Sequence, residues 1–212
     1  MKQEIIYDAL IFAIVIALLL LVKVPYVKVL LPFALILTYS YKTQDLKISL
    51  GFSKPRNLLK LVGTAFGLAI FISILSTFLL LPFIEKLTET PLKLGVFQQL
   101  KNNSTLFFTS IIISWVVGGI IEETIFRGFM ISKFMKHINP NFGAIIGVIL
   151  SSCLFGYLHS YQGISGQILV GIVGLILAVI YVVSKRNLWL NILTHGFVDT
   201  ISMLILYFGL IN

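Results

Sequence analysis

From His137 to Ser184 the chain carries no Asp, Glu, Lys or Arg. Leu61 to Ile84 and Asn102 to Ile121 are likewise uncharged, and as helices each spans about 30 Å of hydrocarbon. A chain of 212 residues, 11% of them charged, with mean hydropathy +1.02, cannot hide that much apolar surface in a soluble core. Lipid must cover the remainder. Within lipid only helices and closed barrels satisfy their own backbone groups, and these runs lack the alternation of a barrel strand and are about twice its length. The expected fold is therefore all-α, a polytopic transmembrane bundle of about seven (seven to eight) helices forming a single integral-membrane domain over 1–212.

Seven spans are predicted, at 5–22, 25–41, 58–82, 105–132, 141–160, 164–184 and 188–210. The first is too long for a signal-peptide core and lacks a small-residue cleavage site, so it is expected to stay. An odd number of spans puts the N-terminus, the 42–57 loop, the 133–140 turn and the Lys185–Arg186 turn on one side. About ten Lys and Arg lie there against about five opposite, which makes that side, and the N-terminus, cytoplasmic. The net charge of +8 then reads as basic loops on anionic headgroups rather than a nucleic-acid surface. Trp189, beside Arg186 at a helix start, suits an interfacial anchor.

Two connections are long. Both 42–57 and 85–104 are expected as ordered loops; the other readings are a short extended piece at the headgroups, where Leu46, Ile48 and Leu50 alternate before Gly51 and Pro55, and an amphipathic turn on the membrane at 85–104. The single cysteine, Cys153, excludes an intramolecular disulfide, and its apolar flanks predict a buried, inert thiol. Gly143, Gly147 and Ser151 at four-residue spacing let a neighbouring backbone approach the fifth helix, and Gly163, Gly166, Gly171 and Gly174 suggest a thin sixth helix. Asp8 is expected to snorkel to the headgroups and His137 to lie at the surface.

Against this apolar background, ionisable residues stand out: Glu122, Glu123 and Arg127 in the fourth span, His159 in the fifth, His195 and Asp199 in the last. An Asp or Arg at the bilayer centre costs about 2.5 to 3.5 kcal/mol on insertion scales, so such residues face the bundle interior and mark function. Residues four apart share a helix face, so Glu123 pairs with Arg127, whether as a site element or as a structural ion pair only. Glu122 points about 100° away and has no local partner. Phe155 with His159, and His195 with Asp199, each share a face. At about 1.5 Å per residue, Glu122 and Asp199 lie some 15 to 20 Å from the cytoplasmic ends, His195 shallower and His159 deeper, which permits one shared site.

A carboxylate and an imidazole together activate a water for attack on a carbonyl, and further donors stabilise the oxyanion. No serine stands in a nucleophile setting, and Cys153 is on a poor spacing to His159. Two His and a Glu can also hold zinc, in which case Glu122, His159 and His195 would be its ligands, although HExxH is missing. A proton-coupled transporter remains open, since buried carboxylates mark ion paths too, but repeats and broken helices are not evident.

Glu122-Glu123-Thr-Ile-Phe-Arg127 reads as EExxxR, Phe155-Gly-Tyr-Leu-His159 as FxxxH and His195-Gly-Phe-Val-Asp199 as HxxxD. Three motifs in this order over 105–200 resemble the CPBP family, the CAAX proteases and bacteriocin-processing enzymes also called the Abi family. The resemblance implies an intramembrane glutamate-type endopeptidase, metal-independent and without cofactor. Glu122 would be the general base assisted by His159, His195 and Asp199 would line the oxyanion side, and Glu123, Arg127 and Phe155 would support. An ionised Asp repels an oxyanion, so Asp199 is expected to orient His195. Expected partners are the bilayer and a peptide or membrane-protein substrate, apolar or lipidated. The expected location is a bacterial plasma membrane. Some family members are tied to bacteriocin immunity, so a non-proteolytic immunity scaffold is the other reading of the resemblance.

Overall fold

In the computed structural model, residues 2–43 and 50–210 are described. Seven long helices follow one another: α1 (Lys2–Leu21), α2 (Pro25–Lys42), α3 (Leu58–Thr88), α4 (Ser104–His137), α5 (Pro140–Leu158), α6 (Gly163–Val183) and α7 (Leu188–Tyr207). There is no strand among the described residues. All but α2 are long and apolar enough to cross a membrane. Helix α2 has 18 residues, about 27 Å, and ends in a polar turn, Thr38 to Lys42, that lowers its hydropathy.

A helix end exposes four N–H groups that lipid cannot satisfy, and here asparagine meets that demand. Asn57, Asn103, Asn139 and Asn187 stand just before α3, α4, α5 and α7, and each side-chain oxygen accepts from a first-turn N–H at 2.9 to 3.4 Å. Pro25 and Pro140 open α2 and α5 at a position where no N–H is needed. Lys185 and Arg186 adopt left-handed φ angles of 59° and 62° and reverse the chain between α6 and α7.

The core is built around α4. Ile121, Ile125, Phe126 and Phe129 bury against Val15 and Leu19 of α1, Ile36 of α2 and Phe155 of α5. On the other side α7 packs along α3 through Ala69, Ile72 and Val198. The small-residue stripe of α5 does what its spacing predicts: a Cβ on Gly147 would come within 3.0 Å of the Ile131 backbone, and Ser151 is buried. Gly156 of α5 and Gly171 of α6 meet backbone to backbone, where an added Cβ would lie 2.9 Å from the opposite Cα. Outside, large apolar side chains such as Phe78, Phe108, Ile112 and Ile145 are exposed, as a lipid-covered surface requires.

Two expectations need correction, those for Asp8 and Cys153. Asp8 does not snorkel: it is 2% exposed, and its carboxylate accepts from Tyr39 of α2 at 2.6 Å and from Lys133 and Lys136 of α4 at 2.6 and 3.1 Å. His137 lies at the surface but turns Nε2 onto the same carboxylate, 2.6 Å away. Sequence spacing could not reveal these bonds, because they link residues about 30 and 130 positions apart. Cys153 is exposed rather than buried, because it shares a helix face with the exposed Ile149, Leu150 and Tyr157 and not with the buried Ser151, Ser152 and Phe155.

Of the 85–104 connection, Glu89 to Asn103 is an ordered loop, and the residues before it extend α3. Helix α3 runs to Thr88, Glu89 turns left-handed at φ 54°, and a 3₁₀ turn follows at Gly95–Leu100. The Glu85 carboxylate holds Leu92 N–H at 2.7 Å, and Lys93 N–H donates to Gln162 O at 3.0 Å. Of the 42–57 segment, Leu46 and Ile48 lie outside the described residues, and Leu50 is fully buried.

Candidate active site

The middle of α4 is wound more loosely than an α-helix. Trp115–Glu122 and Thr124–Ile131 are π-helical, with Glu123 at the junction. Such i→i+5 turns often coincide with functional sites. Helix α7 crosses this stretch closely: a Cβ on Gly119 would lie 3.3 Å from Ile192 O, and one on Gly196 would penetrate the Trp115 indole. Trp115 Nε1 donates to Thr200 Oγ1 at 3.0 Å, which pins the two helices on one side of the site.

Glu123 is the hub. It is fully buried, and its Oε1 accepts from Arg127 Nη1 and from His195 Nδ1, both at 2.7 Å, while Oε2 accepts from Asn191 Nδ2 at 3.3 Å. Arg127, 1% exposed, reaches on to Gly174 O of α6 at 2.9 Å and lies 4.7 Å from the Phe155 ring centre. Asn191 also donates to Leu177 O at 2.7 Å. One carboxylate thus ties α4 to α7 directly and to α6 through Arg127 and Asn191. The remaining cost of burying two charges is offset by charge-assisted bonds and a cation–π contact.

Glu122, one residue earlier, is different. It is half-buried and has no hydrogen bond or ion pair to any described residue. The expected pairing of Glu123 with Arg127 and the isolation of Glu122 both appear in the geometry, although the helix is π-wound there.

His159 sits at the C-cap of α5, where its Nδ1 meets Phe155 O of its own helix at 2.7 Å. A carbonyl only accepts, so Nδ1 carries the proton in this bond and the neutral ring offers Nε2 as a lone pair. The Phe155 ring lies between the two imidazoles, 4.7 Å from His159 and 6.0 Å from His195. Phe155 therefore does more than fill space: it bridges the two rings and covers the Arg127 guanidinium.

His195 points Nδ1 at Glu123 and Nε2 at Asp199 Oδ1, 3.7 Å away. The bond that orients this ring comes from Glu123, not from Asp199 as expected. The i,i+4 spacing made Asp199 the visible partner and hid a carboxylate on another helix. The Asp199 side chain is 28% exposed, against 0% for Glu123. A Cβ on Gly118 would lie 2.8 Å from Asp199 Oδ2 and 3.4 Å from His195 Nε2, so glycine there keeps the space beside both groups open.

Spacing alone overlooked Asn191 and Gly118, and marked Gly174 only as one of the glycines that thin α6. Asn191 had a signal, since it precedes His195 as His195 precedes Asp199, by four. Gly118 had none. Among the described residues no three His, Cys, Asp or Glu side chains converge to hold a metal ion.

Residues 103–201, from the cap of α4 nearly to the end of α7, match the family model described as type II CAAX prenyl endopeptidase Rce1-like. No curated protein and no solved structure matches the chain.

Proposed function

We propose that this chain, whose residues 103–201 match the Rce1-like type II CAAX prenyl endopeptidase model, cleaves a peptide bond of a membrane-associated, apolar or lipidated substrate with a water activated by Glu122. The observation that carries this reading is the contrast between adjacent carboxylates. Glu123 is saturated with partners inside the bundle, while Glu122 is half-buried and free to hold a water.

In the proposed reaction the Glu122 carboxylate takes a proton from water as its oxygen attacks the scissile carbonyl. His159, with Nδ1 engaged by Phe155 O, offers Nε2 as a second acceptor and returns a proton to the leaving amine. His195, held through Nδ1, presents Nε2 to the developing oxyanion. Asp199 faces Nε2 across 3.7 Å and lies beside the space left by Gly118. No step calls for a metal. On this reading the basic end of the bundle, with the N-terminus, faces the cytoplasm, which the positive-inside rule supports.

The test is cleavage of quenched lipidated and leader-type peptides by the full chain in liposomes. Wild type is expected to cleave with chelator present, and Glu122→Gln to lose 10²-fold or more. Equal cleavage by Glu122→Gln would remove Glu122 as base. Loss with chelator and recovery with zinc would instead make Glu122, His159 and His195 metal ligands.

A further inference from the structure

We infer that the groove between the start of α3 and the start of α7 is a binding site for an anionic phospholipid, separate from the Glu122 site and independent of the proteolytic reading. The groove follows from how residues 50–57 are pinned. Gly51 has φ 85° and packs so closely on Arg186 O that a Cβ would overlap it, and Gly51 O accepts from Leu188 N at 3.1 Å. Phe52 then meets Trp189 edge-on at 5.3 Å. Between this pair and Leu58, Leu61 and Val62 lies a cavity of about 680 Å³ with an almost wholly apolar lining. That volume falls in the range of small-molecule sites.

A second cavity of about 250 Å³ adjoins it, sharing Pro55 and Leu61, and its character is opposite. Arg56 and Lys60 line it with Asn57 and Asn187. Lys54 stands on the rim of the apolar cavity. These three cations make no ion pair with any described residue, and no Asp or Glu occurs from Leu50 to Ile84 or from Ile138 to Val198. The positive ends of α3 and α7 also meet here, capped by the two asparagines. An apolar slot beside an unpaired cationic slot, both at helix starts and next to a tryptophan, matches one kind of molecule: an acyl chain joined to a phosphate at the membrane interface.

The experiment uses the full chain in detergent micelles titrated with bromine-labelled phosphatidylglycerol or phosphatidylcholine, reading quenching of Trp189 in the Trp115→Phe background. Phosphatidylglycerol is expected to quench at lower mole fraction than phosphatidylcholine. Arg56→Gln with Lys60→Gln should weaken that preference about fivefold per cation removed. The same change at Lys23 and Lys28, on the opposite side of the bundle, should leave it intact. Val62→Trp, which fills the apolar slot, should weaken both lipids when followed by native mass spectrometry of retained lipid. Three results would overturn the assignment: equal quenching by the two lipids, equal loss in the Lys23/Lys28 control, or displacement of phosphatidylglycerol by inorganic phosphate.

Discussion

Adjacent Glu122 and Glu123 should respond to mutation in opposite ways. Glu123→Ala removes three bonds at once and leaves Arg127, 1% exposed, with only Gly174 O as a hydrogen-bond partner among the described residues. Breaking a buried pair from one side costs about 3 to 5 kcal/mol, since the surviving charge keeps its desolvation penalty. Removing the cation as well, in Glu123→Ala/Arg127→Met, should recover part of this loss, with a coupling of about 0.5 to 3 kcal/mol. Glu122→Gln keeps the shape of a half-buried side chain that has no partner to lose, so stability should stay within about 0.5 kcal/mol of wild type. The assay is equilibrium unfolding in mixed micelles followed by far-UV circular dichroism, with initial cleavage rates on the same preparations. Glu122→Gln should be stable and inactive, Glu123→Ala unstable. A Glu122→Gln protein destabilised as much as Glu123→Ala, or a Glu123→Ala protein as stable as wild type, would refute the division of roles.

Other sites give sharp expectations. Gly118→Ala places a methyl 2.8 Å from Asp199 Oδ2; cleavage should fall about 10²-fold, while unfolding shows equal or greater stability because alanine is the better helix former. Asp8→Ala strands the buried Lys133 and should cost about 3 to 5 kcal/mol in the same unfolding assay; a near-neutral result would mean that Lys133 finds water. Cys153→Ala should change stability by less than about 0.5 kcal/mol, and a spin label at Cys153 should collide with lipid-dissolved oxygen as a lipid-facing site does.

The helices were legible because a membrane leaves few choices. An uncharged run of sufficient length reads as a span, and the predicted spans follow the observed helices to within a few residues at most ends. That His159 and His195 turn inward, to either side of Phe155, was legible from the same constraint, as a polar face in lipid must turn inward. The partners were not. Local spacing pairs His195 with Asp199 and leaves Asp8 alone, yet His195 bonds Glu123, 72 positions away, and Asp8 bonds Lys133, 125 positions away. Glycine is silent in the same manner. Gly118 and Gly174 are ordinary membrane-helix residues until Asp199 and Phe155 stand beside them.

In the proposed reaction the two adjacent acids divide the work between them. Neighbouring residues on a helix point to different sides, so a Glu-Glu step necessarily presents one group inward and one toward the adjoining space. The inward group can then be committed to scaffold bonds, and its rigidity sets the position of His195. The other has no hydrogen bond to any described residue, and in the proposed reaction its oxygens hold the water. A single carboxylate would have to fill both roles, and each bond that fixed it would remove a lone pair from the reaction. The π-wound segment serves the same end, because its looser turn and Gly118 bring the backbone of α4 against Asp199 and His195 without a side chain between them.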